Sequence, residues 1–352
     1  MLDSSDAVVR LGVVGGGLIA QLAHLPAVRA LDDRFAVLAL ADPDPALRDA
    51  LARRHGIPAT FADHRSLLDA AELDAVLVLS PNGTHAPVVR DALDRGLHVL
   101  VEKPLCLSPA DASDLVARAR AADRVVQVGY MKRFDPVVAR LAEALPEAGA
   151  LRVVTSATTD PGIGTRLRPA GFVAPGPTAL GAQTAAQVAD ALGTDDPRHV
   201  RAFSDAFLGA LVHDVNLVLG ICAGAWTATD GVAAEDGTLA YGAWTRADGA
   251  RWSALWQLAP SAAAFREELA FHGAEAVVRL RFPAPYLGSA PAELRVETTP
   301  ERRWCTPANA YAAQLEHFHA CITGDAPCLS PIEDGARDVA FLTALYRETV
   351  LT

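Results

Sequence analysis

Residues 8–20 read Val8-Val9-Arg10-Leu11-Gly12-Val13-Val14-Gly15-Gly16-Gly17-Leu18-Ile19-Ala20, and this stretch decides the fold. The apolar run up to Val14 predicts a buried strand, and the glycines after it fit G-x-G-x-x-[GA] at a turn from strand to helix. Gly15 would permit the tight turn, Gly17 would let the backbone approach a pyrophosphate, and the small Ala20 would let helix and strand pack closely. The pattern favours a dinucleotide-binding turn; the other interpretation is a glycine-rich turn without a ligand.

The same alternation of apolar runs and helical segments continues to about residue 129. Strands are predicted at Val8–Val14, Ala36–Ala41, Ala75–Leu79, Leu97–Val101 and Val125–Gly129, and helices at Leu18–Leu31, Pro45–His55, His85–Arg95 and Pro109–Ala122. Continuous apolar strands that alternate with helices are typical of a parallel sheet covered on both faces. We therefore expect a doubly wound, Rossmann-type α/β domain over residues 1–129.

Residues 130–352 have a different character. A strand is predicted at Leu151–Thr159, a loop region with a short helix over Asp160–Gly193, and a helix at Leu208–Leu219. The β segments from Trp226 to Glu297 are separated by Asp-Gly hairpin signals. The pattern predicts an α/β domain with a large open, mostly antiparallel sheet, closed by helices at Ala308–Ile322 and Pro331–Thr349, the last of which can pack back on the first domain.

Composition excludes several classes of function. The 352 residues are 51% hydrophobic and carry a net charge of -11, which disfavours binding to nucleic acid or to an anionic membrane. No apolar stretch approaches the roughly 20 residues that span a bilayer. The five cysteines are scattered and odd in number, so they are expected to be reduced thiols without a metal site. The N-terminus is polar and acidic, unlike a signal peptide, and a cytoplasmic protein is expected.

Asp42 indicates which dinucleotide is preferred. It ends the second predicted strand, about 25 residues after Gly17, close to the usual position of the acid that binds the ribose 2′-hydroxyl. A carboxylate there would repel a 2′-phosphate, and Arg48 is six residues further on rather than adjacent. NAD(H) is therefore favoured over NADP(H); the alternative is a surface aspartate in a turn.

A second motif, Val101-Glu102-Lys103-Pro104-Leu105, follows the fourth predicted strand of this alternation. Lys103 would lie at the carboxyl edge of the sheet that carries the glycine turn, where a nicotinamide ring needs a partner that handles protons. The alternative is a lysine paired with an acid at a strand end.

With these motifs the chain resembles the glucose–fructose oxidoreductase / inositol dehydrogenase / MocA (Gfo/Idh/MocA) family. The segments that carry the resemblance are residues 12–20, 80–85, 101–105, 128–134, 212–216 and 331–335, in the family's order. The resemblance implies a Rossmann domain followed by an α/β domain whose open sheet often makes oligomer contacts. A homodimer or homotetramer through that sheet is therefore expected.

The resemblance also implies roles for individual residues. Lys103 would touch the nicotinamide ribose and the substrate, and the Lys103–Pro104 peptide bond is often cis in the family. His213 would be the general acid or base. The remaining residues implied at the cofactor are Gly15, Gly17, Leu18, Ile19, Asp42, Ser80, Pro81, Asn82, His85 and Glu102, and those at the substrate are Tyr130, Arg133, His213 and Asn216. His85 could equally belong to the helix N-terminus, and Arg133 could equally form a salt bridge that links the domains.

One departure from the family concerns Gly209. Sugar- and cyclitol-oxidising members usually carry Asp four residues before the histidine, where this chain has Gly209. Asp205 lies eight residues before His213, about 12 Å along an uninterrupted helix, and is not an obvious substitute. The glycine would also leave space that a bulky substrate could occupy.

Three functions remain open on this basis. The first is an NAD(H)-dependent oxidoreductase that transfers hydride to or from a secondary alcohol or ketone carbon of a sugar, cyclitol or glycoside-like, polyhydroxylated small molecule. The second is an NAD-dependent enzyme of transient oxidation, which eliminates, epimerises or cleaves a glycoside without net redox. The third is a non-catalytic NAD-binding regulator.

Overall fold

The computed structural model describes residues 8–162, 172–174, 180–285 and 290–352, which form two compact units. The first unit takes its described residues from Met1–Tyr130, Arg168–Gln187 and Tyr311–Arg337. The second takes them from Met131–Leu167, Val188–Ala310 and Asp338–Thr352. The domain ranges 1–129 and 130–352 stay a prediction from the sequence.

The first unit is built on a parallel sheet of six strands in the order β3-β2-β1-β4-β5-β6. The strands are β1 (Val9–Val14), β2 (Phe35–Ala41), β3 (Ala59–Phe61), β4 (Ala75–Val78), β5 (His98–Glu102) and β6 (Val126–Gly129). This is the strand order of a doubly wound dinucleotide-binding fold, in which the order reverses beside β1. The predicted fold class of this part is confirmed.

Helices of the first unit connect these strands. They are α1 (Leu25–Arg29), α2 (Pro45–His55), α3 (His64–Ala70), α4 (His85–Leu93) and α5 (Pro109–Ala122). The Ser108 side chain accepts a hydrogen bond from Asp111 N at the start of α5, and Gly56 ends α2 with a φ of 69°. The sequence did not predict β3 and α3, since β3 has only three residues and all of them are half-buried.

The helix after the glycine turn differs from the expectation. Residues 20–24 form a π-helical segment, Ala20–His24, that leads into α1. Pro26 lies in the first turn of α1. In place of the predicted helix Leu18–Leu31, the chain therefore forms a π-helical segment followed by the short helix α1.

The second unit contains an eight-stranded sheet in the order β14-β13-β12-β11-β7-β10-β9-β8. Its strands are β7 (Leu151–Asp160), β8 (Trp226–Ala233), β9 (Leu239–Arg246), β10 (Arg251–Leu258), β11 (Arg266–Gly273), β12 (Val277–Phe282), β13 (Ala292–Glu297) and β14 (Arg302–Thr306). Every pairing is antiparallel except β7 with β10. The two predicted Asp-Gly turns connect β8 to β9 and β9 to β10, so the predicted sheet is confirmed.

The remaining helices are α6 (Pro136–Ala144), α7 (Leu180–Leu192), α8 (Pro197–Arg201), α9 (Val212–Ile221), α10 (Ala310–Thr323) and α11 (Ile332–Thr349). The loop predicted over Asp160–Gly193 lies partly outside the described residues, and its described end forms α7. At the start of α11, Gly335 lies against Leu105 and Val128 in the first unit.

The helix predicted at Leu208–Leu219 is longer in the structure and is not a regular α-helix throughout. Residues 197–221 are helical throughout, but Ala202–Leu211 is π-helical rather than part of a regular α-helix. Among the described residues this helix alone has the length and composition to cross a membrane, and 72% of its apolar window is buried inside the protein. A buried core helix has the same composition, so the helix is explained by packing.

Candidate active site

The glycine turn at the end of β1 has the geometry that a pyrophosphate needs. Gly15 has a φ of 97°, and a Cβ on it would lie 2.7 Å from the backbone of Leu79 and Ser80. A Cβ on Gly16 would lie 2.7 Å from Leu51 of α2, whereas one on Gly17 would meet nothing within 4 Å. Gly15 and Gly16 are therefore required by packing, and Gly17 leaves backbone open to a ligand. Leu18 and Ile19 follow it, half-buried, at the start of the helix.

Asp42 at the end of β2 is joined to this turn. Its Oδ2 accepts a hydrogen bond from Gly16 N at 2.9 Å, and its Oδ1 accepts one from Asp44 N at 2.9 Å. Each oxygen keeps a lone pair for a ribose hydroxyl. Arg48 lies closer than its sequence separation indicated, because its Nη1 donates to the Asp42 carbonyl oxygen at 2.8 Å.

Gln21 was not identified from the sequence, although it contacts the glycine turn. Its Nε2 donates to Gly16 O at 2.8 Å and to Val173 O at 2.9 Å, and its Oε1 accepts from Val173 N at 3.0 Å. The amide is buried. It therefore ties residue 173, more than 150 positions away in the sequence, to the turn, a contact that no local pattern reveals.

The loop after β4 carries Ser80, Pro81, Asn82 and His85. Ser80 and Asn82 are half-buried and Pro81 is exposed. The ring of His85 is buried, with Nδ1 2.7 Å from Pro104 O and Nε2 2.9 Å from Ser80 O. Burial lowers the pKa of His85 although the two carbonyl groups raise it, so the neutral ring donates to one of them. His85 thus packs between this loop and Pro104, which follows Lys103.

Glu102 at the end of β5 is held by a histidine that the sequence analysis missed. His24 Nε2 lies 2.7 Å from Glu102 Oε1, and the imidazole packs edge-on against Tyr311. Glu102 Oε2 accepts a hydrogen bond from Lys103 N at 3.2 Å. Burial raises the pKa of Glu102, but His24 and the charge of Lys103 outweigh it and leave the pKa below its usual value. A buried carboxylate with both oxygens used inside the protein positions the strand end, and direct contact of Glu102 with a cofactor stays a prediction.

Lys103 follows directly, half-buried, and the Lys103–Pro104 peptide bond is cis as the resemblance implied. The chain has 31 basic residues, of which two, Lys103 and Lys132, are lysines. Arginine supplies charge but cannot be deprotonated in proteins, whereas a lysine can release a proton. A chain that uses arginine almost everywhere therefore keeps a titratable amine at the carboxyl end of β5, beside the ends of β1 and β4.

In the second unit, His213 lies half-buried on α9 directly after the π-helical segment. Gly209 lies within that segment, and a Cβ on it would be 3.0 Å from the backbone oxygen of Ser204. The space that the sequence predicted at Gly209 for a bulky substrate is therefore not present where a Cβ atom would lie. A close backbone approach explains the glycine.

Asp214, next to His213, belongs to a buried cluster with Lys132 and Glu267. Lys132 Nζ lies 3.7 Å from Asp214 Oδ1 and contacts Glu267 Oε1. The side chains are 11%, 3% and 1% exposed. Burial, and then the charge of Glu267, raise the pKa of Asp214 well above its usual value. Within the cluster, Asp214 therefore favours its protonated form more strongly than an exposed aspartate does.

The predicted substrate residues are placed differently from one another. Tyr130 is 1% exposed, and the Arg133 guanidinium packs against Gly220 near the end of α9. Asn216 is also 1% exposed, and its Nδ2 donates to Asp338 Oδ2 at 2.7 Å. Contact of Tyr130 or Asn216 with a substrate stays a prediction, and for both the burial favours a structural role.

Comparison with known proteins supports the family resemblance over the N-terminal third of the chain. Residues 9–130 match an oxidoreductase family with an NAD-binding Rossmann fold, GFO_IDH_MocA. The resemblance to the Gfo/Idh/MocA family is thus confirmed over residues 9–130.

The curated relatives match less than half of the chain. A D-xylose 1-dehydrogenase (NADP⁺) from Haloferax volcanii is 39% identical over 146 residues, which are 41% of this chain and 44% of the relative. An inositol 2-dehydrogenase from Saccharopolyspora erythraea is 36% identical over 150 residues, 42% of this chain and 43% of the relative. The chain thus spans less than half the length of the curated relatives it matches.

Solved structures extend the likeness in fold to nearly the whole chain. A 3-ketoreductase from Actinomadura kijaniata, in complex with NADP and TDP-benzene, has a TM-score of 0.75 at 21% identity and covers 96% of this chain and 97% of its own. The apo scyllo-inositol dehydrogenase from Lactobacillus casei has a TM-score of 0.74 at 17% identity, with 99% and 98% covered. Both units therefore have the fold of these structures.

Proposed function

We propose that the chain is an NAD(H)-dependent oxidoreductase that transfers hydride to or from a secondary alcohol or ketone carbon of a sugar or cyclitol. The observation that carries the proposal is the placement of Lys103. Its backbone N–H is fixed by Glu102, which His24 holds, at the same sheet edge as the open Gly17 backbone and Asp42. The relatives with sugar- and inositol-dehydrogenase names support the substrate class.

The residues present fit a nicotinamide dinucleotide. Gly17 has room for a pyrophosphate against its backbone, and Asp42 has lone pairs for the hydroxyls of a ribose. When bound, the cofactor would supply the hydride acceptor or donor. Asp42 supports NAD(H), because its carboxylate would repel a 2′-phosphate, while the nearby Arg48 is the group that could offset this repulsion.

In this proposal Lys103 handles the proton of the substrate hydroxyl. As a neutral amine it would accept the proton during oxidation, and as an ammonium it would donate the proton during reduction. Its positive charge would stabilise a developing alkoxide. His213 of the second unit is proposed as the second proton-handling group, since imidazole titrates near neutral pH.

Turnover with a panel of polyols tests the proposal. The protein is mixed with NAD⁺ and D-xylose, myo-inositol or scyllo-inositol. NADH formation is followed by absorbance at about 340 nm, the usual band of reduced nicotinamide. Steady NADH release supports net oxidation, whereas a changed substrate without net NADH supports transient oxidation. Failure of the protein to bind NADH or NADPH would refute the proposal.

The cofactor preference is tested by calorimetry. We expect NADH to bind more tightly than NADPH, and Asp42→Ala to reduce this preference by about tenfold, the value of one charge-assisted hydrogen bond. Arg48→Ala serves as the matched variant and should weaken NADPH more than NADH. Tighter NADPH binding by the unaltered protein would overturn the preference.

A further inference from the structure

Three potential metal ligands within residues 317–328 meet in the first unit. His317 and Cys321 lie four residues apart on α10, so they share one face of the helix. Cys328 comes from the segment after α10, and the ligand atoms of all three residues lie within 4.8 Å of one another. His317 Nε2 and Cys321 Sγ are 3.3 Å apart.

The chain after α10 is fixed in a return path that brings Cys328 to this face. Gly324 has a φ of 87°, and the N–H groups of Asp325 and Ala326 both donate to Ala320 O. Beyond Cys328, the Ser330 hydroxyl donates to Val128 O at 2.7 Å, and Val128 N donates to Ser330 O at 2.9 Å. The segment is thus attached to α10 at one end and to β6 at the other, so the three ligands are brought together before any ion binds.

We propose that His317, Cys321 and Cys328 form a binding site for one Zn²⁺ ion. Thiolate sulfur and imidazole nitrogen are the ligands that Zn²⁺ prefers, with bonds of about 2.3 and 2.0 Å. In a tetrahedral site such bonds place S and N about 3.6 Å apart and two S atoms about 3.8 Å apart. The observed 3.3 Å between His317 and Cys321 is close to the first of these values. Two thiolates also neutralise the charge of the ion.

The surroundings of the three residues suit a metal site. The Pro327 backbone hydrogen-bonds to the His317 imidazole, as carbonyl groups do beside zinc-bound histidines. Cys321 is buried while the other two residues are half-buried, which leaves a path for the ion.

Binding would exchange a few weak contacts. His317 Nε2 now accepts a hydrogen bond from Leu329 N at 3.0 Å, and Cys328 Sγ lies 3.9 Å from Gln127 Oε1. Leu329 is 49% exposed, so solvent can satisfy its N–H once the ion takes the imidazole lone pair.

The fourth coordination position would hold a water molecule. Gln314, one turn before His317, is fully buried, and neither atom of its side-chain amide has a hydrogen-bond partner among the described residues. Buried polar atoms without protein partners are rare and are commonly satisfied by an ordered water or an ion. An ordered water on the ion would give this amide a partner.

Metal titration of the tag-free, fully reduced chain tests the site. Co²⁺ is added first, because its thiolate charge-transfer and d–d bands report on sulfur ligation and tetrahedral geometry, and Zn²⁺ is then used to displace it. We expect one equivalent per chain, two thiolate ligands and displacement by one equivalent of Zn²⁺. Cys321→Ser, Cys328→Ser and His317→Gln should each weaken Co²⁺ binding by more than about 100-fold.

Cys305→Ser is the matched control, because Cys305 is an exposed free thiol on β14 of the second unit. This variant should bind Co²⁺ as the unaltered chain does, and circular dichroism of all variants verifies folding. Absence of thiolate charge-transfer bands in the reduced chain would overturn the proposal. So would retention of the bands in both Cys321→Ser and Cys328→Ser, or a cysteine pair that oxidises to a disulfide but takes up no Co²⁺ when reduced.

Discussion

Replacement of Lys132 by methionine provides a sharp test of the buried charge cluster. The change removes the only cation of the cluster that the structure shows between Asp214 and Glu267, whose side chains are 3% and 1% exposed. The variant must either keep an uncompensated buried carboxylate or bind an additional proton. Removal of one partner of a buried ion pair typically costs about 3–5 kcal/mol.

The cost is expected in full because the carboxylate that remains cannot be solvated by water: the Glu267 side chain is 1% exposed. The double variant Lys132→Met/Glu267→Gln should regain most of this loss, since Asp214 already favours its protonated form.

Tryptophan fluorescence during urea unfolding is a suitable assay. All five tryptophans, Trp226, Trp244, Trp252, Trp256 and Trp304, lie in the second unit with the cluster. The matched control is Arg140→Met, which removes an exposed partner of Glu143 and should cost less than about 0.5 kcal/mol.

The pH dependence has a defined sign. Without Lys132 the carboxyl pKa values of the folded state rise, so the loss is full at neutral pH and shrinks as the pH falls toward about 4, where the unfolded chain also protonates its acids. A loss no larger than that of Arg140→Met, or one that is unchanged at pH 4, would refute the reasoning.

Further predictions concern single residues of both units. Asp214→Asn should flatten the dependence of the free energy of unfolding on pH above pH 4, measured by urea unfolding. The pKa of Asp214 is raised in the folded state, so the unaltered chain loses stability as the pH rises from the pKa of this group in the unfolded chain through its pKa in the folded chain. A pH profile parallel to that of the unaltered chain would contradict this. Gly209→Asp should destabilise the protein by about 1–3 kcal/mol in thermal melts, because the new Cβ would meet Ser204 O, and it should not raise turnover. The control Gly181→Ala, which adds a Cβ in open space on α7, should be neutral or stabilising. His24→Phe should remove the histidine partner of Glu102 and reduce kcat more than NADH affinity. His24→Gln, which keeps a hydrogen-bonding side chain, should recover part of kcat. Equal activity of His24→Phe and the unaltered chain would count against a positioning role for His24.

The sequence predicted those elements whose signal is local. Strands β1, β2, β4, β5 and β6 are short, mostly apolar runs, and α2 and α5 carry their caps in adjacent residues. The Asp-Gly turns likewise identify hairpins over a few residues. The three-residue β3 and the two π-helical segments have no such signal, because half-buried positions and a change of hydrogen-bond spacing leave no regular apolar period.

The contacts of the candidate site are long-range, and this limits prediction. His24 and Glu102 are 78 residues apart, and Lys132 and Glu267 are 135 apart. The residue types of the glycine turn, Asp42 and Lys103 are visible in sequence because each follows a strand. Their partners are visible only once the strands are aligned. The meeting of Cys321 with Cys328 is local in sequence, but it depends on the turn after α10 at Gly324, which the sequence analysis did not predict.

The most direct test of the central claim compares Lys103→Arg with the unaltered chain, with Arg140→Lys as a conservative control on the surface. Single-turnover reduction of NAD⁺ by the most active polyol is measured together with the NADH dissociation constant. We predict that Lys103→Arg, which keeps the charge but cannot release a proton, loses hydride transfer by about 10²–10⁴-fold while NADH affinity changes by less than about threefold. Hydride transfer by Lys103→Arg at the rate of the unaltered chain would contradict the assignment of Lys103 as the group that handles the proton.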